Sequence, residues 1–338
     1  MSTNKAARLH MPPRCRTASG QERRVGVELE LNGMDLERLT RLVAETLGSI
    51  QDSAMQVEET GRYERCITGD AAGDWTVEID FMLLKELGRE TRRADSLLGG
   101  IETTAENLLA QSSTPMVPLE VISPPLPLGR LQEVQALIEA LRDGGALGTS
   151  GKFVYAFGMQ FNPEVPDEEP ATLRDYLRAF LCLYDWLDER AEINFTRRLT
   201  NFIDPFPKQY IMKLMPAKDS VSLASLIDDY LHDNPTRNRA LDMLPVFSYL
   251  DETRVRSRCR DQLIKARPTF HYRLPNSEID EPGWGMHHAW NDWVEVERLA
   301  EDKTRLNDCC HAYLKYLGNP FHLPGSWLRQ LRKQWLQD

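Results

Sequence analysis

Val25-Gly26-Val27-Glu28-Leu29-Glu30-Leu31, Trp75-Thr76-Val77-Glu78-Ile79-Asp80-Phe81 and Leu119-Glu120-Val121-Ile122-Ser123-Pro124-Pro125 decide how this chain is read. Each alternates like a strand but places carboxylates among the apolar residues. Successive strand side chains point to opposite faces, so Glu28 shares a face with Glu30, and Glu78 with Asp80, each with an apolar reverse. Glu120 stands alone in the third segment. If the three strands share one sheet, four or five acids line one surface. Carboxylates that close repel unless cations intervene, and hard cations such as Mg²⁺ take oxygen ligands that they share with phosphates. The pattern points to a metal–nucleotide site on an open sheet. Any one segment taken alone reads equally well as an amphipathic strand with one solvated face.

The composition bounds the class. With 338 residues, 41% hydrophobic and 27% charged, the chain can bury a core and reads as soluble and globular. A net charge of −10 argues against a nucleic-acid partner, which wants a basic face, but leaves room for a small anion held by a local arginine cluster. The six cysteines form no CxxC pair, which fits the reduced thiols of a cytoplasmic protein better than a disulfide framework or zinc site. Residues 1–22 hold Arg, Pro and Ser without an apolar signal core and are expected to form a flexible arm ahead of a single catalytic domain, 23–338. No run of about 18 apolar residues occurs, so no membrane partner is expected.

Around the acidic segments, Leu36, Leu39, Leu42, Val43 and Leu47 predict a helix over 35–47, with Asp35 as N-cap and Gly48 as stop. Residues 55–68 and 74–84 read as two strands joined at Gly69-Asp70…Gly73-Asp74. Residues 85–113 are polar with some helical period. A helix over 128–143 closes at Gly144-Gly145, and a strand over 153–163 puts Gln160 and Asn162 on one face. Helices are expected over 171–190, 220–232, 236–250, 291–303, 304–317 and 326–336, with one late strand, Thr269 to Leu274, carrying His271 and Arg273 on one face. Strands first and helices later suggest an α+β fold with one antiparallel sheet and a mainly helical C-terminal half.

An acidic surface that binds a nucleotide needs basic partners. Asn234-Pro235-Thr236-Arg237-Asn238-Arg239 reads as a helix start rich in phosphate-binding groups, or as an ordinary charged first turn. Arg273 sits mid-strand between apolar residues, where a charge belongs only if it faces acids. Arg197, Arg198, Lys208 and Lys213 read as surface charge. His287-His288 are vicinal and point apart, a poor chelate, and Cys309-Cys310 reads as a buried pair within a helix. No GxSxG, HExxH or Walker A motif is present.

The ordered elements Gly26-Val27-Glu28-Leu29-Glu30, Glu78-Ile79-Asp80, Glu120-Val121-Ile122-Ser123-Pro124-Pro125 and Gly158-Met159-Gln160-Phe161-Asn162 resemble the amidoligase family, over about residues 22 to 300. That family belongs with the carboxylate–amine ligases of the glutamine synthetase and glutamate–cysteine ligase fold. The resemblance implies a glutamine synthetase-like antiparallel sheet with helices packed on one face. It implies Glu28, Glu30 and Glu120 as metal ligands, and Arg273 beside the phosphates. Two departures stand out: Phe81-Met82 follows Asp80 where relatives have Gly-Ser, and Gln160 and Asn162 stand where relatives often have histidines.

The implied chemistry uses ATP and Mg²⁺. A substrate carboxylate, small-molecule or peptide, attacks the γ-phosphate, and an amine or ammonia then displaces phosphate from the acyl phosphate. Arg273, with Arg237 or Arg239, would stabilise the equatorial oxygens, Asn238 belongs to the same nucleotide-binding segment, Glu78 or Asp80 would take the amine proton, and Asn162 would hold substrate or a metal-bound water. Two alternatives stay open: a guanidino-type phosphotransferase on the same sheet, and a non-catalytic nucleotide-binding or scaffold protein.

Overall fold

A computed structural model describes residues 8–80, 118–149, 157–191, 203–218, 220–321, 323 and 325–336. The polar 85–113 segment, Phe81-Met82, Arg197 and Arg198, and the start of the 153–163 strand lie outside them. One nine-stranded antiparallel sheet organises the chain, in the order β2-β3-β4-β5-β1-β7-β9-β8, with β6 pairing the start of β1. The strands are β1 (Arg24–Leu31), β2 (Gln56–Gly61), β3 (Glu64–Thr68), β4 (Trp75–Ile79), β5 (Leu119–Ile122), β6 (Leu126–Pro127), β7 (Met159–Pro163), β8 (Leu241–Asp242) and β9 (His271–Tyr272).

Alternation sets the two faces. Val25, Val27, Leu29 and Leu31 of the central strand β1 are at most 3% exposed, and Val77, Val121, Phe161 and Tyr272 continue the same apolar face across the sheet. Helices α1 (Leu36–Gln51), α2 (Leu131–Asp143), α3 (Pro170–Arg190) and α7 (Met286–Glu301) join that core. Phe270 stacks on Tyr176 of α3 at 5.1 Å between ring centroids, and Tyr272 meets Trp293 of α7 at 5.4 Å. Each large apolar side chain buried this way contributes about 1.5–3 kcal/mol. The other helices are α4 (Lys208–Leu214), α5 (Leu223–Asp233), α6 (Leu244–Arg258), α8 (Lys303–Gly318) and α9 (Ser326–Gln334). No helix among the described residues is long and apolar enough to cross a membrane.

The structure departs from the expected elements in four places. Helix α1 runs through Gly48 and ends at Asp52, whose φ of 48° turns the chain. Gly48 instead allows close approach, since a Cβ there would meet the Ser53 carbonyl oxygen at 2.9 Å. The expected strand 55–68 is a hairpin, because the chain turns at Gly61-Arg62-Tyr63 with a register shift beside Gly61. The expected helix 236–250 starts only at Leu244, with Pro245 in its first turn. A proline there has no N–H to give and its ring opposes the preceding helical turn, so Leu241 and Asp242 are left extended and pair with β9. Finally, residues 8–22 are not a loose arm: the Arg14 guanidinium lies 2.6 Å from Asp167, and Trp290 donates to the His10 carbonyl at 2.8 Å.

Candidate functional site

The polar face of the sheet is built by register. Glu30 lies opposite Glu120, Glu120 opposite Glu78, and Glu78 opposite Glu64, so four glutamates from β1, β5, β4 and β3 form one row. Glu28 sits two residues along β1 from Glu30 on the same face. Side chains directly opposite on neighbouring strands have Cβ atoms about 5 Å apart, so this row concentrates negative charge. The electrostatics follow. Burial, and then the carboxylates of Glu28, Glu30, Asp80 and Glu78, hold the Glu120 carboxyl well above the ordinary range. Burial and the neighbouring Glu64 raise Glu78 as well, against the pull of Lys265.

On the other side of β1 the polar face changes character. Glu30 accepts from the Gly158 backbone N–H at 2.6 Å and from the Gln160 amide at 2.9 Å, one bond to each carboxylate oxygen. Asn162 donates to Glu28 at 2.7 Å. Its own carbonyl oxygen is buried with no hydrogen-bond partner among the described residues. Gly26, opposite Asn162 in the ladder, makes room for that amide: a Cβ at Gly26 would sit 3.4 Å from the Asn162 Cβ.

Because the Gln160 amide nitrogen donates to Glu30, its oxygen must accept, and His271 Nε2 lies 2.8 Å from it. The proton on that ring therefore sits on Nε2. Burial, and then Arg273, Arg267 and Arg237, push the imidazole well below its usual pKa, so it is neutral. Its Nδ1 lies 3.8 Å from the Asp242 carboxylate. Asp242 is 1% exposed, accepts from the Leu244 N–H at 2.9 Å, and is pushed by burial up to about 7 despite three arginines nearby. A chain of side chains, Glu30–Gln160–His271–Asp242, thus crosses β1, β7, β9 and β8.

The basic partners form an arc beside the acids. Arg273 is buried, donates to the Arg237 carbonyl oxygen at 2.7 Å, and feels the charges of Asp242, Glu30 and Glu28. Arg267 Nη1 lies 3.8 Å from Glu28, and its Nε is buried without a partner among the described residues. Arg237 is held by Asp261 at 3.3 Å.

The structure thus brings Glu28, Glu30, Glu78, Glu120, Asn162, Arg237 and Arg273 together, with Asp80 following Glu78 at the end of β4. It takes Arg239 and Asn238 elsewhere. The Arg239 guanidinium donates to the carbonyls of Pro205 and Asp233 and covers the Phe206 ring, tying the 203–207 loop to the end of α5. The Asn238 carbonyl accepts from the Asp204 N–H at 2.6 Å. Among the residues without an assigned role, His271 carries the clearest signal, a histidine on the strand face of Arg273. Glu64 lies in a segment read as a strand next to 74–84, whereas Asp242, Lys265 and Arg267 sit in segments whose place at the sheet no local pattern indicates. Lys213 pairs with Asp229 at the surface.

The donor chemistry fits a hard divalent cation, since the donors are carboxylates and an amide oxygen that repel or lie unpaired without one. No three acidic, imidazole or thiol side chains among the described residues close on one point. No curated protein and no solved structure matches this chain. A family model described as "putative amidoligase enzyme" matches residues 21–295. That span contains every strand of the sheet, the acid row and the arginine arc, and the chain belongs to this amidoligase family.

Proposed function

We propose that this protein is an ATP- and Mg²⁺-dependent carboxylate–amine ligase, working through an acyl phosphate on a glutamine synthetase-like sheet. The observation that supports the reading best is the row Glu64–Glu78–Glu120–Glu30 with Glu28 beside it, flanked by Arg237, Arg267 and Arg273. Bound Mg²⁺ would neutralise phosphate oxygens while the γ-phosphoryl group passes from ATP to the substrate carboxylate and the amine nitrogen then displaces phosphate.

The chain's residues divide this work. Glu28, Glu30 and Glu120 offer hard oxygen donors. Gly158 and Gln160 fix the orientation of the Glu30 carboxylate. Arg273, Arg237 and Arg267 supply positive charge at the far side of the site, where the equatorial phosphoryl oxygens need it. Glu78 or Asp80 takes the proton that the amine must lose, and the raised pKa of Glu78 suits that exchange. Asn162 presents its free carbonyl oxygen toward the same face.

Calorimetric titration of a non-hydrolysable ATP analogue tests the reading. Binding should require Mg²⁺ and weaken by about 10-fold or more in Glu28→Gln. A folded wild type that binds no analogue, or a variant with unchanged Mg²⁺-dependent binding, overturns it.

A further inference from the structure

Residues 254–267 carry Arg254, Arg256, Arg258, Arg260, Lys265 and Arg267 against the single carboxylate of Asp261, in a chain whose net charge is −10. Some of these cations have structural work. Arg254 pairs with Asp228 and Asp251. Arg256 donates to the carbonyls of Asp261 at 2.6 Å and Ile264 at 2.9 Å. Arg237 holds Asp261 from the other side. With Ile264 3% exposed, these contacts pin the loop that follows α6.

Three of the remaining cations lie at the surface, at the end of α6 and along that pinned loop. Arg258, Arg260 and Lys265 are exposed, and Arg258 and Arg260 have no hydrogen-bond or ion-pair partner among the described residues. Arg258, in the last turn of α6, has a ready structural role against the helix dipole. Arg260 and Lys265 lie beyond that turn. Lys265 acts electrostatically on Glu78, and Arg267 reaches to 3.8 Å from Glu28. The cations therefore run from the outer surface to the mouth of the acid row. A preordered loop presents them without first losing conformational freedom.

We propose that this loop docks an acidic peptide, whose carboxylates meet Arg258, Arg260 and Lys265 while one of them is delivered past Arg267 to the acid row. The identification of that peptide as the carboxylate substrate rests on the ligase reading above. Several separate exposed cations match several carboxylates on one chain better than one small anion. A nucleic acid offers no carboxylate to the ligase reading, and its tighter binding is the contrary outcome of the test below.

Fluorescence anisotropy of labelled hexaglutamate on the full chain, without nucleotide and at low salt, tests the docking. Hexaglutamate should bind and hexaglutamine should not. Arg258→Gln, Arg260→Gln and Lys265→Gln should each weaken binding about two- to five-fold, and so should salt near 0.15 M, where the screening length is about 8 Å. All three sites are exposed, so the variants should keep their fold. Unchanged affinity in the triple variant, equal binding of hexaglutamine, or tighter binding of an oligothymidylate of equal charge overturns the proposal. Loss of ATP-analogue binding with hexaglutamate still bound at this loop refutes the ligase reading and leaves the docking surface standing. Analogue binding without hexaglutamate binding refutes the docking alone.

Discussion

Asp242→Asn separates the electrostatic account of this site from a purely packed one. The Asp242 carboxyl is buried among His271, Arg237, Arg267 and Arg273, and burial raises it from the ordinary 3.8 to about 7. A group whose folded pKa lies above its unfolded value holds a proton that the unfolded chain has released. Its contribution is greatest below the unfolded pKa and is lost as pH rises through the folded one, here between about pH 4 and pH 7. At 1.36 kcal/mol per pKa unit, the rise from 3.8 to about 7 amounts to at most about 4 kcal/mol. Asparagine keeps a carbonyl oxygen for the Leu244 N–H and gains an amide that can donate to the neutral His271 Nδ1. Urea unfolding of wild type and variant from pH 4 to pH 8 reads the difference, with the titration of other groups cancelled by subtraction. The two proteins should match near pH 4, and the variant should be the more stable at pH 8 by up to about 4 kcal/mol. A difference that does not change with pH, or a variant less stable at pH 8, refutes the reasoning. It would mean that the three arginines need the Asp242 charge more than burial opposes it.

Arg23 and Glu297 form a fully buried pair at 2.7 Å, with Trp293 and Tyr176 also donating to the glutamate. Arg23→Met leaves that carboxylate buried without its cation and should cost about 3–5 kcal/mol in chemical denaturation; a cost below 1 kcal/mol would show that the site relaxes or hydrates. Gln160→Leu removes the amide between Glu30 and His271. It should lower Mn²⁺ affinity, read by calorimetry, about 10- to 100-fold with the fold retained; unchanged affinity would remove Glu30 from the cation site.

The acid row was legible because a strand has period two. Glu28 and Glu30 must share a face wherever β1 lies, and the apolar reverse of each segment says which side is core. Gly144-Gly145 closed α2 and Asp35 capped α1 for equally local reasons. The misreadings come from residues with two competing uses. Gly48 looks like a helix stop, yet it serves a close contact with Ser53. Thr236 to Arg239 look like a helix start, yet Pro245 admits a helix only from Leu244, and Arg239 bonds to the carbonyls of Pro205 and Asp233.

Residue alternation alone therefore determined the acid-bearing strands β1, β4 and β5, their polar face and the type of donor on it, since those depend on neighbours in sequence. Which carboxylates stand opposite one another was settled only by pairing. The order β4-β5-β1 brings Glu78, Glu120 and Glu30 into one row from segments as far apart as residues 30 and 120. The same holds for Asp242, His271 and Arg267. Their charge states and partners follow from burial and from groups distant along the chain, and neither is encoded in a local pattern.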